Sequence, residues 1–146
     1  MAAPTYTWEF VYDLLGDRVP KIVTLQASTN LETKVGTALI ASGGQVDEAT
    51  ATVVLFLGLA AEETAAALTA GDPIKVALIA PGMVIRGTAD ADASAASGFS
   101  GKTYDFNTDG SLDVGDTSGG CLSVYRTEDA GLTVECVVNG QLMAAL

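Results

Sequence analysis

The chain is expected to be mainly β: a small β-barrel or β-sandwich domain with one short helix and an N-terminal strand or arm. Three observations carry that expectation. Apolar residues fall in short runs, several alternating with polar residues at the two-residue period of a strand. Gly, Asp, Asn and Pro stand between the runs at turn positions. A single segment, "AEETAAALTAGD", has the composition of a helix.

In order, "TYTWEFVYDL" places Tyr6, Trp8, Phe10 and Tyr12 on one face, with Thr5, Thr7, Glu9 and Val11 on the other. Gly16 and Asp17 offer a turn, and "VPKIVTLQAS" resumes as a second strand, with Pro20 suited to its beginning or to an edge. Residues 1–30 therefore read as an N-terminal strand or hairpin arm, either covering one end of the core or exposed. Residues 31–146 read as one compact β-rich unit.

"VGTALIASGGQVDEATA" has two apolar runs around "SGG", which marks a tight turn. "TVVLFLGLA" is a continuous apolar run suited to a strand buried on both faces. "AEETAAALTAGD" follows, with acids at its start, Ala and Leu within, and Gly71 to stop it. "PIKVALIAPGMVIRGTA" gives two strands around Pro81 and Gly82, which suit the second and third positions of a type II turn. "DADASAASGFSGKT" reads as a long loop, and "YDFNTDGSLDV", "GGCLSVYR" and "GLTVECVVNGQLM" as short strands between turns. There is no internal repeat.

The net charge of −11 opposes any approach to nucleic-acid phosphates. No apolar run is long enough to span a membrane, and "MAAPTYTWEF" lacks the basic start and apolar core of a signal peptide, so synthesis and retention in a cytoplasm are expected until assembly. The sequence has no histidine, which removes Ser-His-Asp and Cys-His catalysis and His-ligated zinc. Its acids are scattered among Gly, Ser and Thr, without large side chains to raise a carboxyl pKa. No enzymatic activity and no cofactor are expected.

Cys121 and Cys136 are too few for a disulfide framework, and their spacing matches no zinc pattern without further ligands. "CLSVYR" and "LTVECVV" read as a hairpin joined by "TEDAG". Putting Leu122 and Val124 on the face of Leu132, Val134 and Cys136 sends Cys121 to the opposite face. Two free thiols are expected, with Cys136 in the core.

"DFNTDGSLDVGD" matches the EF-hand calcium loop at its ligand positions: Asp105, Asn107, Asp109, Ser111, Asp113 and Asp116, with Gly110 at the sharp turn and Leu112 at the apolar position. The twelfth ligand is Asp rather than the longer Glu, and the Gly-rich flanks cannot be the two helices. The competing reading is a hairpin turn, "NTDG", between "KTYDF" and "SLDV". The turn is the expectation, with no metal site.

Taken together, the aromatic N-terminal strand, "VGTALIASGGQVDEAT", "FLGLAAE", "AGDPIKVALIAPGMVIRG", "SGKTYDFNTDGSLDVGDTSGGCLSVYR" and "TVECVVNGQLM" resemble the capsid decoration, or cement, proteins of tailed bacteriophages, the group of the lambda head-decoration protein. The resemblance covers about residues 8 to 143. It implies a β-tulip-like domain that forms a homotrimer, sits on the outer surface of the virion at local threefold axes and binds the major capsid protein. The longer chain and its Trp-bearing N-terminal segment depart from the lambda protein.

Tyr6, Trp8 and Phe10 are the candidate capsid-contact residues, because aromatics dominate interface energetics when buried. Core packing is the alternative for Trp8 and Phe10. No residue is singled out for the trimer interface. Two other functions stay open: a calcium-dependent binding module around Asp105–Asp116, and a tail or fibre subunit.

Overall fold

A computed structural model describes residues 3–49 and 56–139. Its strands are β1 (Glu9–Asp13), β2 (Lys21–Gln26), β3 (Ala38–Ser42), β4 (Gln45–Glu48), β5 (Phe56–Ala60), β6 (Pro73–Leu78), β7 (Met83–Thr88), β8 (Asp105–Phe106), β9 (Leu112–Asp113), β10 (Leu122–Glu128) and β11 (Thr133–Val138). A four-stranded sheet has the order β1-β7-β11-β10, a five-stranded sheet the order β2-β6-β5-β3-β4, and β8 pairs with β9 alone. All strand pairs are antiparallel. Neither large sheet closes into a barrel, so the architecture is an open sandwich.

The main core lies between the two large sheets. Met83, Ile85, Val124, Val134 and Cys136 of the first meet Ala38, Phe56 and Leu59 of the second, with Trp8, Phe106 and Leu112 closing one end. Phe106 packs against both Phe56 and Trp8, with ring centroids 5.3 Å and 5.4 Å apart. The other face of the five-stranded sheet has a second, smaller core of Leu39, Val46, Ala60, Ile74 and Val76, joined by Ala27 and Leu31. That sheet is thus packed on both faces, which is why the β5 sequence reads as a continuous apolar run.

Turn chemistry was legible. Gly43 and Gly44, with φ of 58° and 81°, join β3 to β4 as a two-residue hairpin loop. Met83 N–H donates to the Ala80 carbonyl at 3.1 Å, and Gly82 has φ of 92°, as a type II turn requires. The turn does not fold β6 onto β7, however. It passes the chain from the five-stranded sheet to the four-stranded one.

Several expectations change. Residues 61–72 are not a helix. Their backbone bonds go instead to the 27–33 stretch: Thr64 N–H donates to Thr33, Leu68 N–H to Leu31 and Gly71 N–H to Ala27, while Asn30 N–H donates back to Leu68. A segment this short gains little from helix formation, so tertiary pairing that also brings Leu68 against the second core overrides Ala propensity. β1 and β2 do not form a hairpin, since each is the edge of a different sheet. Tyr12 does not share a face with Phe10, because a bulge between them pairs Phe10 with Ile85 but Tyr12 with Val84.

Both cysteines are free and buried, but Cys121 lies in the main core with Cys136 rather than opposite it. It precedes the first residue of β10, so strand alternation does not govern its direction. Burial and the charge of Asp105 push the Cys121 thiol up to about 12, and burial also raises that of Cys136. Leu132, expected inside, lies before β11 and is exposed.

Candidate adhesive surface

The approach to β1 is fixed by contacts with the acidic turn. Tyr6 N–H donates to the Asp109 carbonyl at 2.8 Å, Trp8 N–H to the Gly36 carbonyl at 2.8 Å, and the Trp8 indole Nε1–H to the Gly110 carbonyl at 2.7 Å. Gly110 permits this closeness: its φ is 92°, and an added Cβ would collide with the Tyr6 carbonyl oxygen. The three aromatics therefore divide. Trp8 is a core residue at 3% exposure, Phe10 is half-buried against the core, and Tyr6 is exposed.

Of the six positions of the calcium pattern, Asn107, Asp109 and Ser111 bond to one another. Asp105 and Ser111 are buried, and β8 and β9 pair across the turn, with Asn107 N–H donating to the Ser111 carbonyl at 2.7 Å. Asp109 Oδ1 accepts the backbone N–H and hydroxyl of Ser111, at 3.0 and 2.6 Å. Asn107 Nδ2 donates to Asp90 and Ser111, and Asp113 accepts from Gly115 N–H. Among the described residues no three acids or thiols are grouped to hold a metal ion. The turn serves instead as a seat for the N-terminal strand.

The connection between β1 and β2 is ordered by one carboxylate. Asp13 accepts two bonds from the Arg18 guanidinium, at 2.7 and 3.0 Å, and two from the backbone N–H groups of Leu15 and Arg18. The Arg18 contacts hold the Asp13 carboxyl down at about 2. Arg18 also donates to the Pro81 carbonyl at 2.8 Å, tying this connection to the β6–β7 turn. The result is a fixed loop that presents Leu15 and Val19 at 74% and 73% exposure, beside Leu14.

Next to it, the β1 and β2 edges flank an apolar groove of about 300 Å³ lined by Phe10, Ile22, Val35, Leu59, Ala77 and Ile79. Ile22 and Val35 stand at its rim with 61% and 63% of their surface exposed. Chain reading missed both, because an isolated Ile in "KIVTLQ" and a Val beside Gly36 look like ordinary core residues.

A polar cluster lies on the four-stranded sheet. Glu135, only 4% exposed, accepts from Arg86 Nη2 at 2.6 Å and from the Tyr12 hydroxyl at 3.0 Å, and Arg86 also reaches Glu9 at 3.3 Å. Burial pushes the Glu135 carboxyl up, but the bonds from Arg86 and Tyr12 and the charges of Arg86 and Arg126 outweigh it, leaving a net lowering. Burial first, then the bond to Glu135, raises Tyr12. The sequence signal was a lone acid in "TVECVV" and a lone base in "MVIRGT", a pair that only strand register brings together. Both Glu135 carboxylate oxygens are engaged, in bonds that tie β1, β7 and β11 together, which marks a structural network.

Among the described residues no helix is long and apolar enough to cross a membrane. No known family model matches the chain, and no curated protein matches it.

Proposed function

We propose that the protein is a capsid decoration protein of a tailed bacteriophage: a homotrimer on the outer surface of the head at local threefold axes, gripping the major capsid protein and stabilising the expanded shell. It works by adhesion and carries out no chemistry. The observation that carries this reading is apolar surface held out on fixed backbone. Leu15 and Val19 protrude from a loop that Asp13 and Arg18 clamp, beside a groove rimmed by Ile22 and Val35. Ordered apolar protrusions lose little further entropy on docking, which favours binding. The sequence resemblance supplies the identity of the partner, and Tyr6 and Phe10 extend the proposed contact along β1. Trp8 positions that strand from within the core.

Three copies on one trimer make each attachment raise the effective concentration of the next, so individually weak contacts suffice. The charge of −11 keeps unassembled copies soluble and apart from the genome. The test is to mix purified protein with undecorated heads. The reading expects a trimer by light scattering, added density at the threefold positions and greater heat resistance of the shell. Heads that gain neither density nor heat resistance overturn it.

A further inference from the structure

We propose that Leu14 and Leu15 are the docking site for the chain's own segment 140–146 (GQLMAAL), and that this segment masks part of the adhesive surface until a partner displaces it. The masking rests on the adhesive reading, whereas the contact itself does not. Residues 140–146 lie outside the described residues, so the argument runs from the point at which the described chain leaves the fold.

Three stretches meet at Gly82. Its N–H donates to the carbonyl of Val138, the last residue of β11, at 3.0 Å, and its own carbonyl accepts from Leu14 N–H at 2.9 Å. The Leu15 side chain occupies the space that Gly82 leaves empty, since an added Cβ would collide with Leu15 Cγ and Cδ1. The chain therefore leaves β11 beside Leu15. Asn139 carries it one residue further, with its N–H donating to the Cys121 carbonyl at 2.9 Å. The segment that follows can reach about 23 Å when extended, and Leu142 and Met143 stand near its start.

The chemistry of the two sides matches. Leu14 and Leu15 are exposed large apolar side chains on a backbone that Asp13 and Arg18 clamp, so the site needs no ordering of its own. Residues 142–146 are Leu, Met, Ala, Ala and Leu, and 140–146 contain no charged residue. Exposed apolar patches call for an occupant. The tether decides which one: a segment joined to its site through a residue or two meets it at about millimolar effective concentration, ahead of any free chain. Leu15 also belongs to the proposed contact with the capsid, so segment and shell compete for it. The shell prevails by engaging Val19, the groove and β1 at the same time.

Methyl-labelled NMR spectra of the full chain are the direct test. Nuclear Overhauser contacts are expected from the methyls of Leu142 and Met143 to those of Leu15, and a sample mixing labelled and unlabelled copies should show that they arise within one chain. Leu142→Ser combined with Met143→Ser should remove these contacts and shift the Leu14 and Leu15 methyl resonances. The same double variant should bind undecorated heads about fivefold more tightly, because an occupant that must leave first lowers apparent affinity by the fraction of open copies. Absence of the methyl contacts, contacts that arise only between copies, or equal measurable affinity of the two chains for heads would each overturn the inference. Contacts within one chain, with neither chain binding heads, would end the decoration reading instead and leave the docked segment standing.

Discussion

Gly87 makes room for Trp8: an added Cβ at Gly87 would collide with ring atoms Cδ2, Cε2 and Cε3 of the indole. The missing side chain on β7 lets the tryptophan reach the Gly110 carbonyl and the edge of Phe106 at once. Gly87→Ala should therefore destabilise the fold by about 1–3 kcal/mol through overpacking, read as a lower thermal midpoint. An unchanged midpoint would show that Trp8 does not occupy this place.

Calcium should leave the melting temperature unchanged. A metal that binds only the folded chain raises the midpoint by linkage, whereas among the described residues no three acids or thiols are grouped for a metal ion, and Asp109 Oδ1 accepts from Ser111. Asp109→Ala should lower stability by about 1 kcal/mol, the scale of a local side-chain-to-backbone bond, equally with and without calcium. A midpoint that climbs with calcium in the wild type and not in the variant would restore the metal reading.

The loop after β1 should respond to acid. A carboxyl whose folded pKa lies below its ordinary value stabilises the fold above that ordinary value, and the contribution is lost as pH falls through the lower one. For Asp13 these values are 3.8 and about 2. Slow exchange of the Leu15 and Arg18 amides, both bonded to Asp13, should persist at about pH 5 and fade between about pH 4 and 2. In Asp13→Asn this transition should be absent, and a wild type without it would remove the clamp.

Glu135 and Arg86 should be coupled. Glu135→Ala leaves Arg86 and Tyr12 without their shared acceptor, and Arg86→Ala leaves a buried carboxylate short of its main donor. Each single variant should melt lower than wild type, and the double variant should melt higher than the sum of the two losses requires. Strict additivity would mean that the pair does not interact.

Neither thiol should react in the native state. Cys121 and Cys136 are both buried, and burial keeps them protonated. A thiol reagent should modify both only after denaturant is added, and fast native labelling would contradict their placement.

The sequence showed what is local. The Gly43–Gly44 and Pro81–Gly82 turns, the β10–β11 hairpin and the "NTDG" turn follow from chemistry within a few residues, and each appears where expected. What it hid was partnership at long range. Alternation cannot foresee a bulge, so Tyr12 was assigned to the wrong face. Ala-rich composition spoke for a helix at 61–72, but backbone donors there had better acceptors between 31 and 44 residues earlier, as in the bond from Gly71 to Ala27. Strand proximity suggested that β1 and β2 pair, while the chain had instead changed sheets between them. For the proposed surface, the aromatic character of Tyr6 and Phe10 singled them out in the sequence. Ile22 and Val35 were not, because exposure is a property of the assembled fold.

The chain crosses between the two large sheets at residues 14–20 and again at Ala80–Gly82, and these crossings are fastened together: Leu14 N–H donates to the Gly82 carbonyl at 2.9 Å and Arg18 to that of Pro81 at 2.8 Å. Pulling outward on β2 therefore strains both seams simultaneously, and the layers resist sliding past each other as two plates do when riveted at one corner.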